Sequence, residues 1–390
     1  MPRNTSHSFR VLFGSIVCSL LAVNVAAAPT LNSRSDSFAT SNFTSLVARA
    51  PAPISLPLII IDQDTSYVAS IAMGASGKTF NVIVDTGTPV FWLLSETSEQ
   101  LVRVYRHPSA CSQLTEGYAR ARQGQHNGIG PTSSSTFDAG DKANEGDEAN
   151  EWGFTYMEGS TAVGFAAHDK LTIGGVSLDD MPFGVAETIT GELVKAFEDG
   201  IMGFAPRTAG TAARSCSAGT NPAKFDESTL VEVDNFDATG NYWMVSVSTV
   251  KIDGEAVIST ELKAVVDTGT SDIRANPAIV KKLLAKIPGV QQIAAGSDEE
   301  GSQEGTGGDF LLPCDTESKL AFTIGGKDWD VDPRDLALPD ERLEDNMCFS
   351  QIFGDPSFGE DTILLGATFL KNVYLSLNLE TKKIGFAKPK

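Results

Sequence analysis

The chain has 390 residues, 41% of them hydrophobic and 21% charged, and a formal net charge of −20. Such acidity leaves no basic footprint for a nucleic-acid partner, and after the first thirty residues no apolar run is long enough for a membrane span. The length exceeds what one compact core usually serves, so two domains or two fused lobes are expected. The acidity fits either plain solubility or work at acid pH, where below pH about 4 many carboxylates become neutral.

In chain order, residues 1–28 read as a signal peptide. Arg3 and Arg10 form its basic start, Val11 to Val25 its apolar stretch, and Ala26-Ala27-Ala28 offers small-residue cleavage sites. Export implies an oxidising compartment. Removal of this segment takes Cys18 with it and leaves four cysteines. Residues 29–53 are rich in Ser, Thr, Asn and Pro and read as a short pro-segment cut near Arg49. They contain the glycosylation sequon Asn42-Phe43-Thr44.

Beyond residue 54 helical periodicity is scarce. Short runs of Val, Ile, Thr and Phe recur between Gly, Asp and Ser clusters, a pattern that predicts an all-β fold. Residues 124–150 are polar and Gly-rich and read as an extended surface loop. The segment from Ile279 to Ile287 predicts one amphipathic helix. The four histidines, His7, His107, His126 and His168, show no metal-ligand spacing and are expected at the surface.

One short pattern occurs twice: Val82-Ile83-Val84-Asp85-Thr86-Gly87-Thr88 and Ala264-Val265-Val266-Asp267-Thr268-Gly269-Thr270. A second pattern, two apolar residues and a glycine, follows each copy as Ile201-Met202-Gly203 and Leu364-Leu365-Gly366. A duplicated order implies two similar lobes about a pseudo-two-fold axis. In each copy a β-prone run ends in Asp, Thr bonds locally, and Gly permits a sharp turn with room for a close neighbour. Two such turns face to face would bring Asp85 and Asp267 together. Carboxylates in contact cannot both ionise easily, so they share a proton and act as a combined acid and base.

With these motifs the chain from about Leu56 to Lys390 resembles the pepsin-like (A1-type) aspartic proteases, secreted fungal members among them. The resemblance implies a bilobal all-β fold of two β-barrel-like lobes, residues 54–245 and 246–390, with a central cleft. It implies an aspartic endopeptidase acting at acid pH on protein and peptide substrates, as a monomer without cofactor or metal, outside the cell or in an acidic vacuole. Asp85 and Asp267 would be catalytic. Phe154-Thr155-Tyr156-Met157-Glu158-Gly159-Ser160 resembles the flap, a hairpin over the substrate, with Tyr156 bonded to Trp92. Gly87, Gly269 and Gly159 would admit the substrate backbone, and Ile83 and Val265 would line its pockets. Thr86 and Thr268 would cross-bond the lobes, and Thr88 and Thr270 would bond the outer carboxylate oxygens. Cys314 and Cys348 fit the disulfide of the family's second lobe, whereas Cys111 and Cys216 either pair or stay free thiols.

Four positions depart from the commonest family pattern: Pro89, Met157, Glu158 and Ala367. They bear on subsite preference and optimum pH rather than on reaction class. Large hydrophobic residues at the scissile bond are the family default, and Glu158 would add acceptance of Lys. Some proteins of this architecture lack one aspartate or the flap and serve only as binding or inhibitor-like proteins. The presence of Asp85, Asp267 and Tyr156 speaks against that alternative, and the serine- and zinc-hydrolase motifs G-x-S-x-G and H-E-x-x-H are missing.

Overall fold

The computed structural model describes residues 56–61, 65–99, 126–140, 151–157, 159–196, 198–206, 221–237, 239–293, 310–338 and 342–390. The expected leader 1–53, Cys111, Cys216, His7, His107 and Glu158 lie outside the described residues. Strands dominate, as the short β-prone runs predict.

The first lobe is one eight-stranded sheet. Its strands are β1 (Leu58–Ile61), β2 (Ser66–Met73), β3 (Lys78–Asp85), β4 (Phe91–Leu94), β5 (Glu151–Thr155), β6 (Thr161–Ile173), β7 (Val176–Ile189) and β8 (Gly200–Gly203). The order is β1-β2-β3-β8-β4-β7-β6-β5, and a further pairing of β2 with β6 closes the sheet on itself. Alternation along β3 sends Phe80, Val82 and Val84 into the core with Met73, Leu93 and Phe183, and leaves Ile83 and Asp85 on the other face.

The second lobe repeats the plan, and Val231–Asp234 and Met244, which precede the expected boundary at 245, pair within its sheets. It is built from β9 (Val231–Asp234), β10 (Met244–Ile252), β11 (Glu255–Ile258), β12 (Leu262–Val266), β13 (Ile273–Ala275), β14 (Gln291–Gln292), β15 (Phe310–Pro313), β16 (Leu320–Ile324), β17 (Lys327–Val331), β18 (Met347–Phe349), β19 (Ile352–Gly354), β20 (Thr362–Leu365), β21 (Tyr374–Asn378) and β22 (Lys383–Ala387). Its main sheet runs β17-β16-β10-β12-β20-β13-β19, with β11 paired to β10. Two three-stranded sheets, β14-β15-β18 and β21-β22-β9, complete it.

The predicted helix is α1 (Pro277–Leu284). Asn276 caps it by accepting the Ala278 N–H, Pro277 opens it, and Ile279, Val280, Leu283 and Leu284 form the buried stripe. A short α2 (Ala367–Leu370) follows β20. Cys314 and Cys348 form a disulfide at the end of the β15–β18 pair, across a sequence separation of 34. In the chain-entropy model such a loop stabilises the fold by about 4 kcal/mol.

The stretch expected as a plain surface loop is partly core. Within 126–140, Ile129 is fully buried, bridges Ser95 and packs with Phe91 and Phe183. Phe137 packs on the same core, edge-on to Phe165 and Phe183, so a few apolar residues anchor the polar run. Among the described residues no helix is long and apolar enough to cross a membrane.

Candidate active site

Each catalytic-type turn lies at the end of a parallel strand pair. Strand β3 runs beside β8, with Asp85 opposite Gly203, and β12 runs beside β20, with Val266 opposite Leu365. The paired glycines have a steric cause. A Cβ on Gly203 would lie 2.3 Å from the Thr88 carbonyl oxygen, and one on Gly366 would lie 2.4 Å from that of Thr270. The turn therefore folds tightly over the neighbouring strand, in the same way in both lobes.

The two turns meet across the lobes. A Cβ on Gly87 would lie 2.5 Å from the Asp267 carboxyl carbon, and a Cβ on Gly269 would lie 2.4 Å from that of Asp85. Each glycine thus leaves room for the opposite carboxyl group. Beneath them Thr86 and Thr268 interlock. Each backbone N–H donates to the other threonine's Oγ1 at 3.0 Å. In turn Thr86 Oγ1 donates to the Val266 carbonyl at 2.9 Å, and Thr268 Oγ1 to that of Val84 at 2.6 Å. All four groups are buried and all are satisfied, which fixes the distance between the lobes.

Asp85 is 6% exposed and Asp267 8%. Burial pushes the Asp85 carboxyl well above the usual range, with the charge of Asp267 and a side-chain hydrogen bond to it adding to the rise. Backbone N–H groups of Gly87, at 2.7 Å, and Thr88, at 3.2 Å, both donate to Asp85 Oδ1 and oppose it. The Asp85 carboxyl thus stays protonated over a range where an isolated aspartate is ionised.

The outer threonines differ from each other. Thr270 does donate its hydroxyl to Asp267 Oδ2, at 2.7 Å. Thr88 does not: it reaches Asp85 through its backbone N–H, and its hydroxyl accepts from the Val90 N–H at 3.4 Å. Pro89 stands between those two residues where Ser271 stands in the second turn, and its ring fixes the backbone there.

Tyr156 sits just past β5 and receives the Trp92 indole N–H at 2.7 Å. Its ring meets Phe154 edge-on, with centroids 4.9 Å apart. The hairpin turns at Gly159, whose φ of +90° favours glycine. Met157 at the tip is 54% exposed. Ile83 packs between this aromatic group and Ile61 with Val68.

Two buried aspartates outside the pair, Asp199 and Asp272, were not among the expected site residues. Asp199, at the foot of β8, is buried; its carboxylate accepts the N–H groups of Asn81 at 2.8 Å and Asn127 at 2.6 Å. His126, expected at the surface, is only 9% exposed and lies 4.0 Å from Asp199. Asp272, also buried, takes a two-pronged bond from Arg274, which lies 3.9 Å from Asp355. Each aspartate directly precedes a short buried strand, β8 or β13, and that placement was the available signal. Among the described residues no cluster of His, Cys, Asp and Glu is arranged to hold a metal ion.

The family model described as eukaryotic aspartyl protease matches residues 66–221 and 216–389. Pepsin A of Sus scrofa is 26% identical over 359 residues, covering 83% of this chain and 81% of that protein. Penicillopepsin-3 of Penicillium janthinellum is 24% identical, covering 88% and 83%. A probable aspartic-type endopeptidase CTSD of Arthroderma benhamiae is 24% identical over 89% of this chain, which spans 66% of that relative's length.

Proposed function

From a chain that belongs to the eukaryotic aspartyl protease family and sets two carboxyl groups against each other's glycines, we propose an aspartic endopeptidase that cleaves internal bonds of proteins at acid pH. The reciprocal fit of Gly87 to Asp267 and of Gly269 to Asp85 is the observation that carries this reading. With one proton on the Asp85/Asp267 pair, the ionised carboxylate takes a proton from a water molecule held between them. That water attacks the scissile carbonyl while the protonated partner donates its proton to the carbonyl oxygen. Collapse of the tetrahedral intermediate returns a proton to the leaving amine. The cycle forms no covalent enzyme intermediate.

The shared proton sets the upper pH limit, so activity falls between roughly pH 5 and 7. Ala367 lacks the carboxylate many relatives carry, which moves that limit to lower pH. Apolar Ile83, Trp92 and the ring of Tyr156 favour a large hydrophobic residue at the scissile bond. Glu158, with Glu192 and Glu198, adds acceptance of Lys; Glu158 lies outside the described residues, Glu192 is exposed and Glu198 partly buried. Residues 1–28 direct export, residues 29–53 with a glycosylated Asn42 are cut off near Arg49, and the mature enzyme acts as a monomer on protein and peptide substrates.

The test is hydrolysis of a denatured protein near pH about 4 by the processed enzyme and by Asp85→Asn and Asp267→Asn. Both variants should fold, yet fall below about 1% of wild-type rate. Activity above that level in either one would falsify the assignment. A Lys peptide and its Phe counterpart, compared in Glu158→Ala, separately test the acidic pocket: an unchanged ratio rejects it.

A further inference from the structure

Strand alternation in the second lobe places an arginine on the face that carries Asp267. In β12, Leu262, Ala264 and Val266 point into the lobe core, so Val265 and then Asp267 fall on the opposite face. The register continues that face across the sheet. Met244 pairs with Val265, Val265 with Leu364, and Leu364 with Arg274. Ile273 and Ala275, the neighbours of Arg274, are core residues. Met244, Val265 and Leu364 form an apolar row closed over by Phe358. Arg274 ends that row, and its side chain is 36% exposed.

The guanidinium is held, not dangling. Its Nε donates to Asp272 Oδ1 at 2.8 Å and its Nη2 to Asp272 Oδ2 at 3.1 Å. Its Nη1 lies 3.9 Å from Asp355 Oδ2, an ion-pair distance longer than a hydrogen bond. Asp355 is itself fixed, since its Oδ1 accepts from the Ser357 N–H and hydroxyl. A planar fork locked on one side by a buried carboxylate presents its other edge in a defined direction.

We propose that Arg274, positioned by Asp272, is a specificity-determining residue that selects a substrate side chain with a neutral hydrogen-bond acceptor, Asn or Gln, at the subsite bordered by Val265 and Leu364. The inference rests on the endopeptidase reading above. An aliphatic side chain laid on Arg274 strips water from the guanidinium edge and returns no acceptor, an arrangement polar sites reject strongly. An ionised Glu returns an acceptor but adds a third carboxylate around one cation that already faces Asp272 and Asp355. The amide meets the edge without that repulsion.

The experiment is a positional scan at pH about 5 on peptides with one reference cut site. Each position around the cut carries Gln, Leu or Glu in turn. The wild type should prefer Gln over both Leu and Glu at one position, by roughly tenfold in kcat/KM. In the double variant Asp272→Leu/Arg274→Leu, which removes both ends of the buried pair, the Gln-to-Leu ratio at that position should fall to about one or below. Arg274→Lys keeps the charge without the fork and should retain only part of the preference, and it serves also if the double variant fails to fold. Leu equal to or better than Gln at every position in the wild type overturns the proposal. So does a Gln preference that survives the loss of Arg274. If the wild type fails to cut the all-apolar reference peptide, the endopeptidase reading falls first and takes this inference with it.

Discussion

The two catalytic-type turns share one frame and differ in how each carboxylate is held. Asp85 accepts two backbone N–H groups, both on Oδ1. Asp267 accepts one backbone N–H on Oδ1, from Gly269 at 2.8 Å, and one hydroxyl on Oδ2, from Thr270 at 2.7 Å. Burial pushes Asp85 well above the usual carboxylate range, and the charge of Asp267 and the side-chain hydrogen bond between the two add to the rise. Duplication thus fixed where the carboxyls sit, while the flanking residues, Pro89 and Val90 against Ser271 and Asp272, differ between the two turns.

The shared frame can be broken at its glycines. Gly87→Ala and Gly269→Ala each drive a Cβ to about the same depth, 2.5 and 2.4 Å from the opposite carboxyl carbon. The carboxyls must separate in either case, so kcat should drop at least about 100-fold in both, with circular dichroism unchanged. A large loss in one variant and near-normal turnover in the other would mean that the lobes do not share the site equally.

The lobes should also part company with pH. Burial pushes Asp199 in the first lobe up to about 6, against the N–H donors of Asn81 and Asn127. An unfolded aspartate titrates near 3.9. The folded value is the higher one, so its stabilising contribution is complete below about pH 3.9 and is lost as pH rises through about 6. The full span is about 2–3 kcal/mol. Asp272 in the second lobe is also raised by burial, but the fork of Arg274 offsets part of that rise. Hydrogen exchange at pH about 4 and about 7 should therefore show the first lobe loosening more than the second. Asp199→Asn surrenders one of two N–H acceptors and should be weaker at acid pH, yet flatter across the range. Preferential opening of the second lobe, or an unchanged slope in the variant, contradicts this assignment.

The frame was legible in the sequence because it is repeated. Two Asp-Thr-Gly-Thr turns after apolar strands, each followed by an apolar-apolar-Gly strand, can meet only if the lobes are alike. Trp92 with Tyr156, Thr86 with Thr268 and Cys314 with Cys348 followed from family order, and all three pairs are in contact. What duplication does not encode was less visible. Ala367 read as the loss of a nearby carboxylate, while Asp272, five residues after Asp267, brings one to the same turn from a position where burial is set by tertiary packing. The carboxylate of Asp199 and the ring of His126 meet only because residues 126–130 fold back on β3 and β8. Ile129 in a polar run is a weak signal until that packing is seen.

The finest difference between the lobes is one hydroxyl. Thr270 Oγ1 donates to Asp267 Oδ2, and an ionised carboxylate gains most from such a bond. Thr270→Val keeps the shape and removes the donor, so the pair becomes harder to ionise and the acid limb of the pH–rate profile should move up, by about one pH unit. The same change at Thr88 takes away only a long contact to the Val90 N–H and leaves the backbone donor to Asp85 in place. Its acid limb should move by less than about a third of that. The profile of kcat/KM is the readout, since it reports ionisations of the free enzyme. Equal shifts in the two variants would mean that the Thr88 hydroxyl turns to Asp85 in solution. The lobes would then hold their carboxylates alike.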